Sequence, residues 1–463
     1  MVKSVPSTKE AYELFHKGAL ALQRAEYTGM RVDMEYCKRK KEELTIRIAE
    51  LEQKIYESNF GKKWSRSIGG KRPNLNSNPQ LSRFLYSILK LKPVRFTESG
   101  QPATDEEALS ELDIPELDML LEMRKFRKIR DTYLDAFMRE QVNGYIHPFF
   151  NLHLTKTFRS SSDSPNFQNI PKRDKEATKI CREALFPRPG HQFVSMDYSA
   201  IEVKMAVCYV EDEKLCYDVL HGDMHKDMAI ELYMLDDLDK RHSGEAVLRQ
   251  GAKNGFVFPQ FYGDYYGNCV LNLLKWARQA YLKDDTPALV HLKDKELITL
   301  DKSGNVKKFD KFLEHVRKVE DQFWNVRYKQ YSRWKDKVWY EYQKKGYIEM
   351  KTGFRCYGLM SKKDITNYPF QGTAFHCLLW AFVEIDRVFR EHKMDSRLVS
   401  QIHDEITADI LPEECDNAIK LMVRIATEDI RENWKWINIP LTVEVEKAEV
   451  DKSWGERKFL NLP

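Results

Sequence analysis

The chain lacks several features that define other classes of protein. Its eight cysteines form no Cys-x-x-Cys pair and follow no zinc-ligand spacing, which argues against a structural zinc site and a disulfide-rich fold. No apolar run approaches the ~20 residues that a membrane-spanning helix needs. No signal-peptide pattern, internal repeat or low-complexity stretch is present either. These absences favour a soluble protein with free thiols in a reducing compartment.

Charge is nearly balanced and by itself says little about partners. The chain has 463 residues, 42% of them hydrophobic, and a formal net charge of +4. Basic residues cluster at 37–41 (CKRKK) and within 62–72, where a solvated helix face and a phosphate-binding surface are both open interpretations. A chain of this length is expected to form roughly two to four packed units.

Apolar spacing predicts a mostly helical chain with one small β region, an α+β plan. Helices are predicted at 7–56 (two, separated at Gly29), 80–91, 105–112, 115–137, 201–260, 310–345 and 371–392. Strands are predicted at 147–154, in a hairpin at 397–410, and at 441–445. Gly- and Ser-rich composition predicts a loop at 61–78, and mixed composition predicts an inserted surface element near 275–309.

Two short acidic motifs lie 207 residues apart in the sequence. FVSMDYSAIE places Asp197 at the end of an apolar, strand-like run, and LVSQIHDEI does the same with Asp404. Carboxylate oxygens are the ligands that hard divalent cations prefer, and two such ions can clamp the oxygens of a phosphoryl transfer. For two isolated acidic residues, exposed turn carboxylates would be the ordinary alternative.

A basic and aromatic segment, RQGAKNGFVFPQFYG, lies between the acidic motifs. On a helix, Arg249 and Lys253 stand four residues apart and project from one face. Cations followed by aromatic rings can hold a triphosphate and stack on a base. An ordinary amphipathic helix is the alternative interpretation of this segment taken alone.

Taken together and in this order, these segments resemble the polymerase region of the bacterial DNA polymerase I family, the family A DNA polymerases. DYSAIE is similar to the family's DYSQIELR, and IHDEI to its VHDE. RSSSDSPNFQNIP at 159–171 is similar to RLSSTDPNLQNIP, and the basic segment resembles the nucleotide-binding helix of the fingers. Weaker similarities at 74–81, 102–109 and 367–373 extend the resemblance over about residues 14–455.

The resemblance implies a right-hand fold of thumb, palm and fingers, mostly helical with a small antiparallel palm sheet. The implied domains are N-terminal helices and thumb at 1–140, palm at 141–205, fingers at 206–370 with the insertion near 275–309, and the second part of the palm at 371–463. Since residues 1–13 are too few to form a nuclease site, no proofreading exonuclease domain is expected in this chain.

The implied function is a DNA-directed DNA polymerase that extends a primer 3′-OH with dNTPs. Asp197, Asp404 and the backbone carbonyl of Tyr198 would hold two Mg²⁺ ions, and the ions would activate the 3′-hydroxyl of the primer. Mn²⁺ is expected to be able to substitute for Mg²⁺. Glu405 would be an auxiliary ligand through water, which we favour, or a structural acid. The implied partners are primer-template DNA and dNTPs, with no membrane. A monomer in the cytoplasm of a bacterium or phage-infected cell is expected.

The resemblance also implies contacts with the substrates. Arg249, Lys253 and His225 would grip the triphosphate, and Lys253 would protonate the pyrophosphate. Glu202 would exclude a 2′-hydroxyl and so favour a DNA product. Phe258 is expected to stack on the base, and Tyr262 is expected to contact the nucleotide. Contacts with the primer terminus and template are expected from Arg159, Asn367, Gln371 and His403.

The nucleotide-binding segment departs from the family's pattern. The family spaces its lysine and key aromatic by four, where this chain has Val257. Either one extra residue after Lys253 is absorbed as a π-bulge and Phe258 stacks, which we favour, or Phe256 takes that role. Pro259 replaces a glycine and is expected to kink or end the helix.

Two other functions remain alternatives at this point. A single-chain RNA polymerase has related palm motifs, but Glu202 argues against it. A DNA-binding scaffold without activity predicts the loss of a metal-binding aspartate, whereas Asp197 and Asp404 are both present.

Overall fold

Long helices joined by short strands make up most of the chain. The structure, a computed structural model, describes residues 6–93, 95–97, 99–171 and 174–461. Its α-helices are α1 Thr8–Thr28, α2 Met34–Glu57, α3 Asn59–Ser67, α4 Asn78–Ser82, α5 Glu106–Ser110, α6 Pro115–Arg127, α7 Asp135–Glu140, α8 Lys175–Arg182, α9 Ile201–Val210, α10 Glu213–His221, α11 Met224–Tyr233, α12 Ser243–Ala252, α13 Phe258–Phe261, α14 Tyr266–Arg278, α15 Ala288–Asp294, α16 Asp310–Gln322, α17 Lys329–Lys345, α18 Lys362–Glu391, α19 Cys415–Arg424 and α20 Ile430–Asn433.

Several of these helices are joined by π-helical turns. The π-helical segments are Arg83–Ile88, Lys128–Leu134, Lys253–Val257, Phe323–Arg327 and Ile425–Asp429. The strands are β1 Met30–Val32, β2 Tyr145–Ile146, β3 Phe149–Asn151, β4 Ser161–Asp163, β5 Leu185–Phe186, β6 Gln192–Tyr198, β7 Thr299–Leu300, β8 Val306–Lys308, β9 Tyr347–Glu349, β10 Arg355–Tyr357, β11 Arg397–Ile402, β12 Glu405–Ile410, β13 Val443–Lys447 and β14 Lys458–Leu460. The predicted α+β class is confirmed.

A five-stranded antiparallel sheet, in the order β11-β12-β6-β13-β14, lies between the two hydrophobic cores. β6 is its middle strand. Because side chains alternate along a strand, Val194 and Met196 enter the larger core, while Phe193 enters the smaller core. Asp197 therefore lies on the face of the sheet that Phe193 shares, at the end of β6.

The N-terminal helices follow the predicted pattern. α1 begins with a capping box in which Ser7 and Glu10 satisfy each other's backbone N–H groups. It ends at Gly29, whose φ is +64° and whose Cβ would lie 2.6 Å from the Ile146 carbonyl oxygen, so only glycine fits there. The two helices predicted within 7–56 and the break at Gly29 are confirmed.

The predicted loop at 61–78 is wrong in its first part, because α3 continues to Ser67. Ser58 caps this helix through the Gly61 N–H, and Phe60 and Trp64 are buried. Trp64 stacks on Phe84 with ring centroids 5.2 Å apart. Two aromatic anchors at helical spacing outweigh the Gly- and Ser-rich composition of the segment.

The helix predicted at 371–392 begins earlier, at Lys362. Ser361 and Asp364 form a capping box, and Pro369 is accommodated inside the helix. Sequence analysis also missed β14 and the small β2-β1-β5 sheet. The segment near 275–309 contains the end of α14, then α15 and the β7–β8 hairpin.

All eight cysteines are free thiols, and seven of them are buried. Across the described ranges, no helix combines the length and apolar character needed to span a bilayer.

A buried histidine lies where α1, α18 and the β9–β10 hairpin meet. His376 stacks on Phe354 with ring centroids 3.9 Å apart, and its Nδ1 lies 2.6 Å from the Thr352 hydroxyl. Burial lowers the pKa of His376 to about 3. In the unfolded chain a histidine titrates near its ordinary pKa of about 6.5.

We expect His376 to make the fold sensitive to acid. Because its folded pKa lies below its unfolded value, the stabilisation is complete above about pH 6.5 and falls by up to about 1.4 kcal/mol per pH unit towards pH 3. Urea unfolding at pH 7, 5.5 and 4.5 should show a shallower loss of stability in His376→Leu than in the wild type. Equal slopes in the two proteins would contradict this expectation.

Candidate active site

A cavity of about 470 Å³ brings together residues from the 159–171 segment, the two acidic motifs and the basic and aromatic segment. It lies at the start of α9, beside the β11–β12 turn, and α13 and α18 form further walls. Its lining includes seven residues predicted from the sequence: Arg159, Glu202, Phe258, Tyr262, Gln371, His403 and Asp404.

The two candidate metal-binding aspartates lie at the same end of the sheet, one near the end of a strand and one in a turn. Asp197 is near the end of β6, and Asp404 follows His403 in the tight turn between β11 and β12. The Tyr198 N–H donates a hydrogen bond to the Asp404 carbonyl oxygen at 3.1 Å, which fixes the turn against β6. His403 has a φ of +55°, as tight hairpin turns require.

The candidate ligands suit a hard divalent cation whose remaining coordination positions are open to water and substrate. Among the described residues, no group of three or more His, Cys, Asp or Glu side chains could hold a metal ion. Asp197, Asp404 and the Tyr198 carbonyl would supply only oxygen. Mg²⁺ is commonly bound in this way, through one or two carboxylates completed by waters and substrate phosphates.

Glu405 lies directly opposite Asp197 in the register of β12 and β6. It is 3% exposed, and its Oε1 accepts a hydrogen bond from Arg457 Nη1 at 2.6 Å. Of the two roles considered for Glu405, this buried ion pair favours that of a structural acid.

Glu202 receives two hydrogen bonds at the cavity wall. The Tyr262 hydroxyl donates to Glu202 Oε2 at 2.6 Å, and Arg159 Nη1 donates to Oε1 at 3.2 Å. Burial and then the nearby Glu202 carboxylate raise the pKa of Tyr262, so the phenol stays protonated and acts as the donor. Asn367 Nδ2 in turn donates to the Tyr262 carbonyl oxygen at 2.8 Å.

The basic and aromatic segment contains the π-helical turn that is one of the two predicted alternatives. The turn, Lys253–Val257, continues α12 and leads into α13. It places Phe256 in the core against Phe323, with ring centroids 5.5 Å apart, whereas Phe258 lines the cavity. The helix ends at Phe261, two residues after Pro259, which agrees with the expected helix end.

Cationic and aromatic side chains lie close together beside Phe258. Lys253 Nζ is 5.3 Å from the Phe258 ring centroid, and the ring of His225 is 5.7 Å from it. Burial, followed by the charges of Lys253 and Arg249, lowers the pKa of His225 to about 4. Arg249 is paired with Asp223 through contacts of 2.9–3.1 Å.

Sequence analysis missed a set of supporting polar residues. Gln401 is fully buried; its Oε1 accepts from Ser160 at 2.5 Å and from Gln168 at 3.3 Å, and its Nε2 donates to the His403 carbonyl at 2.8 Å. These bonds join the 159–171 segment to the turn that carries Asp404. Gln401 lies inside the second acidic motif, but only the assembled structure identifies its partners.

The sequence of this chain is similar to those of known proteins. The sequence profile of DNA polymerase family A matches residues 34–266 and 311–456, and the unmatched residues between them include the segment predicted as an insertion. DNA polymerase I of Pseudomonas aeruginosa is 27% identical over 461 residues, covering 94% of this chain and 43% of that protein. DNA polymerase I of Caldicellulosiruptor bescii is 28% identical over 443 residues, covering 94% of this chain and 46% of that protein. The chain thus spans less than half the length of these relatives.

A solved structure gives a comparison of folds. The polymerase domain of Pol1 from M. smegmatis, in complex with DNA primer-template and dNTP, superposes with a TM-score of 0.73 at 23% identity. The superposition covers 96% of this chain and 70% of that one. The predicted right-hand α+β fold is therefore confirmed.

We expect the two phenylalanines of the π-turn region to differ in their effect on stability. Phe256→Ala should lower the free energy of unfolding by about 3–5 kcal/mol, because it opens a cavity in a packed core. Phe258→Ala should lower it by only about 1 kcal/mol, because its ring is half-buried at the cavity wall. Urea unfolding of both variants measures the difference, and equal losses would contradict the assignment of Phe256 to the core.

Proposed function

The chain belongs to DNA polymerase family A, and from this premise we propose that it is a DNA-directed DNA polymerase. It would extend the 3′-hydroxyl of a primer paired with a DNA template, using dNTPs. The observation that carries the proposal is that the β11–β12 turn with Asp404 is hydrogen-bonded to the end of β6, which carries Asp197, and that Asp404 lines a cavity with Glu202 and Tyr262.

Asp197, Asp404 and the Tyr198 carbonyl are proposed to bind two Mg²⁺ ions. When bound, such ions lower the pKa of the primer hydroxyl and stabilise the charge on the phosphoryl group in transfer. The chain contributes a fixed geometry, since the Tyr198–Asp404 backbone hydrogen bond holds the two carboxylate-bearing segments together before substrate arrives.

The triphosphate is proposed to bind beside α12 and the π-turn. Lys253 and Arg249 are neighbours of the neutral His225, and phosphate oxygens would compete with Asp223 for Arg249. Lys253 is proposed to donate a proton to the departing pyrophosphate. Phe258 would stack on the incoming base, an assignment supported by its place at the cavity wall and by the burial of Phe256.

The sugar of the incoming nucleotide is proposed to meet Glu202. Because Tyr262 and Arg159 both bond to its carboxylate, Glu202 is held against the cavity wall and cannot easily move aside for a 2′-hydroxyl. This arrangement favours deoxynucleotides over ribonucleotides. Gln371 and His403 line the same cavity, and Asn367 is tied to Tyr262, which supports their proposed contacts with the primer terminus and template.

The direct test is extension of a 5′-labelled primer on a DNA template with Mg²⁺ and dNTPs. We expect wild-type protein to extend the primer and Asp404→Ala to lose at least about 10³-fold in rate, because a charge-stabilising ligand is removed. Lys458→Met, a substitution of an exposed residue on β14, serves as the folded control. A folded wild type that binds the duplex but does not extend the primer would instead support the scaffold alternative.

Substituting Glu202 tests the proposed discrimination between sugars. Glu202→Ala should reduce the preference for dNTPs over rNTPs by roughly 10- to 200-fold, the range expected when a steric contact of this size is lost. Tyr262→Phe keeps the ring but removes a hydrogen bond to Glu202, and it should reduce the preference less. The kcat/KM for each nucleotide class measures both effects. Efficient use of rNTPs by the wild type would contradict the proposal and favour an RNA polymerase.

A further inference from the structure

A buried ion cluster lies on the same face of the sheet as Asp197. Its centre is Arg457, in the link between the 3₁₀ turn Trp454–Glu456 and β14, and its side chain is 3% exposed. Arg457 Nη1 donates to Glu405 Oε1 at 2.6 Å, and Nη2 lies 3.3 Å from Glu446 Oε2. One guanidinium therefore bridges two carboxylates from different strands.

The strand register gives the position of this guanidinium. Glu405 on β12 is opposite Asp197, and Glu446 on β13 is opposite Ser195, with β6 between the two outer strands. Directly opposed residues of an antiparallel pair project from the same face. A cation that contacts both glutamates therefore lies over β6, near the positions of Ser195 and Asp197.

Further contacts hold Arg457 in this position. Its Nε donates to the Trp454 carbonyl oxygen at 3.0 Å, and its guanidinium lies 5.0 Å from the centroid of the Trp454 ring. Arg182 lies 4.1 Å from the same ring. Burial lowers the pKa of Arg182, although Glu405 and Glu446 act in the opposite direction. The planar guanidinium is thus fixed by two carboxylates, a carbonyl and an aromatic ring.

We propose that Arg457 is a positioning residue for the metal site. It holds Glu405 as its counter-ion, so that Asp197 and Asp404 supply the carboxylates for the divalent cations and Glu405 does not. Without Arg457, the buried Glu405 carboxylate would lose its 2.6 Å ion pair, one residue from Asp404, and less of its negative charge would be neutralised at the site. This inference rests on the proposed function, because it concerns the same pair of aspartates.

Binding of Mn²⁺, followed by electron paramagnetic resonance, tests the proposal without requiring turnover. The complex contains a dideoxy-terminated primer-template and the matching dNTP. Glu405→Gln keeps the hydrogen bond to Arg457 but removes the charge, and it should leave the Mn²⁺ affinity within about twofold of the wild type. Arg457→Met should bind Mn²⁺ at least about threefold more tightly, because Glu405 then acts as an added negative charge.

Two further variants complete the design. In the double variant Arg457→Met with Glu405→Gln, the Mn²⁺ affinity should return to within about twofold of the wild type, since the added charge is gone. Lys458→Met removes a neighbouring exposed cation and should have no effect on Mn²⁺ binding.

Extension assays give a second measurement. Arg457→Met should lower kcat by about tenfold or more, because the reacting groups are misplaced. The KM for dNTP should change little, because the residues that bind the nucleotide are unaffected.

Two outcomes would overturn the proposal. If Glu405→Gln weakens Mn²⁺ binding by about tenfold or more, Glu405 is itself a metal ligand. If every folded Arg457 variant binds Mn²⁺ like the wild type, Arg457 only stabilises the fold. Thermal unfolding without metal identifies the folded variants. Should Arg457→Met not fold, Arg457→Gln, which removes the charge but keeps hydrogen-bond donors, replaces it and should bind Mn²⁺ more tightly than the wild type.

The failure of this inference and that of the proposed function are distinguishable. If the wild type extends primers but the variants show either of the two overturning results in Mn²⁺ binding, only the role proposed for Arg457 is contradicted. A wild type that does not extend primers contradicts the proposed function, whatever the Arg457 variants do.

Discussion

The pairing of β6 with β12 on one side and β13 on the other is the interaction on which the rest of the site depends. It aligns Asp197 with Glu405 and Glu444, and the Tyr198–Asp404 backbone hydrogen bond closes the same ladder at its end. A slip of one residue in this register would turn Asp197 towards the larger core and bring an apolar neighbour to the cavity side. The two hydrophobic cores, one on each face of the sheet, fix the register by burying alternate residues of β6.

Side-chain hydrogen bonds extend this alignment from the sheet to the surrounding helices. Gln401 connects the 159–171 segment to the β11–β12 turn, and Glu202 connects that segment to the end of α13 through Arg159 and Tyr262. Residues from four distant parts of the sequence thus reach one cavity already held in place. Such an arrangement reduces the reorganisation needed when substrates bind, which is a general source of catalytic rate.

Sequence reasoning succeeded where a local pattern determines the structure. Strand-like runs ending in acidic residues predicted the hairpin whose turn carries Asp404 and the strand end that carries Asp197. Comparison of the basic segment with the spacing in the family it resembles left two possibilities for this helix, and the structure contains the π-turn of one of them. In each case the decisive residues are neighbours in the sequence.

It failed where the structure depends on contacts between distant residues. The composition of 61–78 predicted a loop, but the first part of this segment is helical. Trp64 in that helix stacks on Phe84, which lies outside the segment and so does not contribute to its composition. The partners of Glu405 could not be found either, since Arg457 reaches it only after β12, β6, β13 and β14 have paired in register. Glu405 is buried only in the assembled sheet, so the IHDEI motif alone does not predict its burial.

Asp197 and Asp404 are proposed to form one metal site. This proposal is tested most directly by replacing Mg²⁺ with Fe²⁺ in the complex with primer-template and dNTP, and by mapping the cuts that bound iron makes in the polypeptide in the presence of ascorbate and peroxide. A metal site shared by the two aspartates predicts cuts at both 195–199 and 402–406, and excess Mg²⁺ should suppress both. Cutting near only one of the aspartates, or cuts insensitive to Mg²⁺, would contradict it.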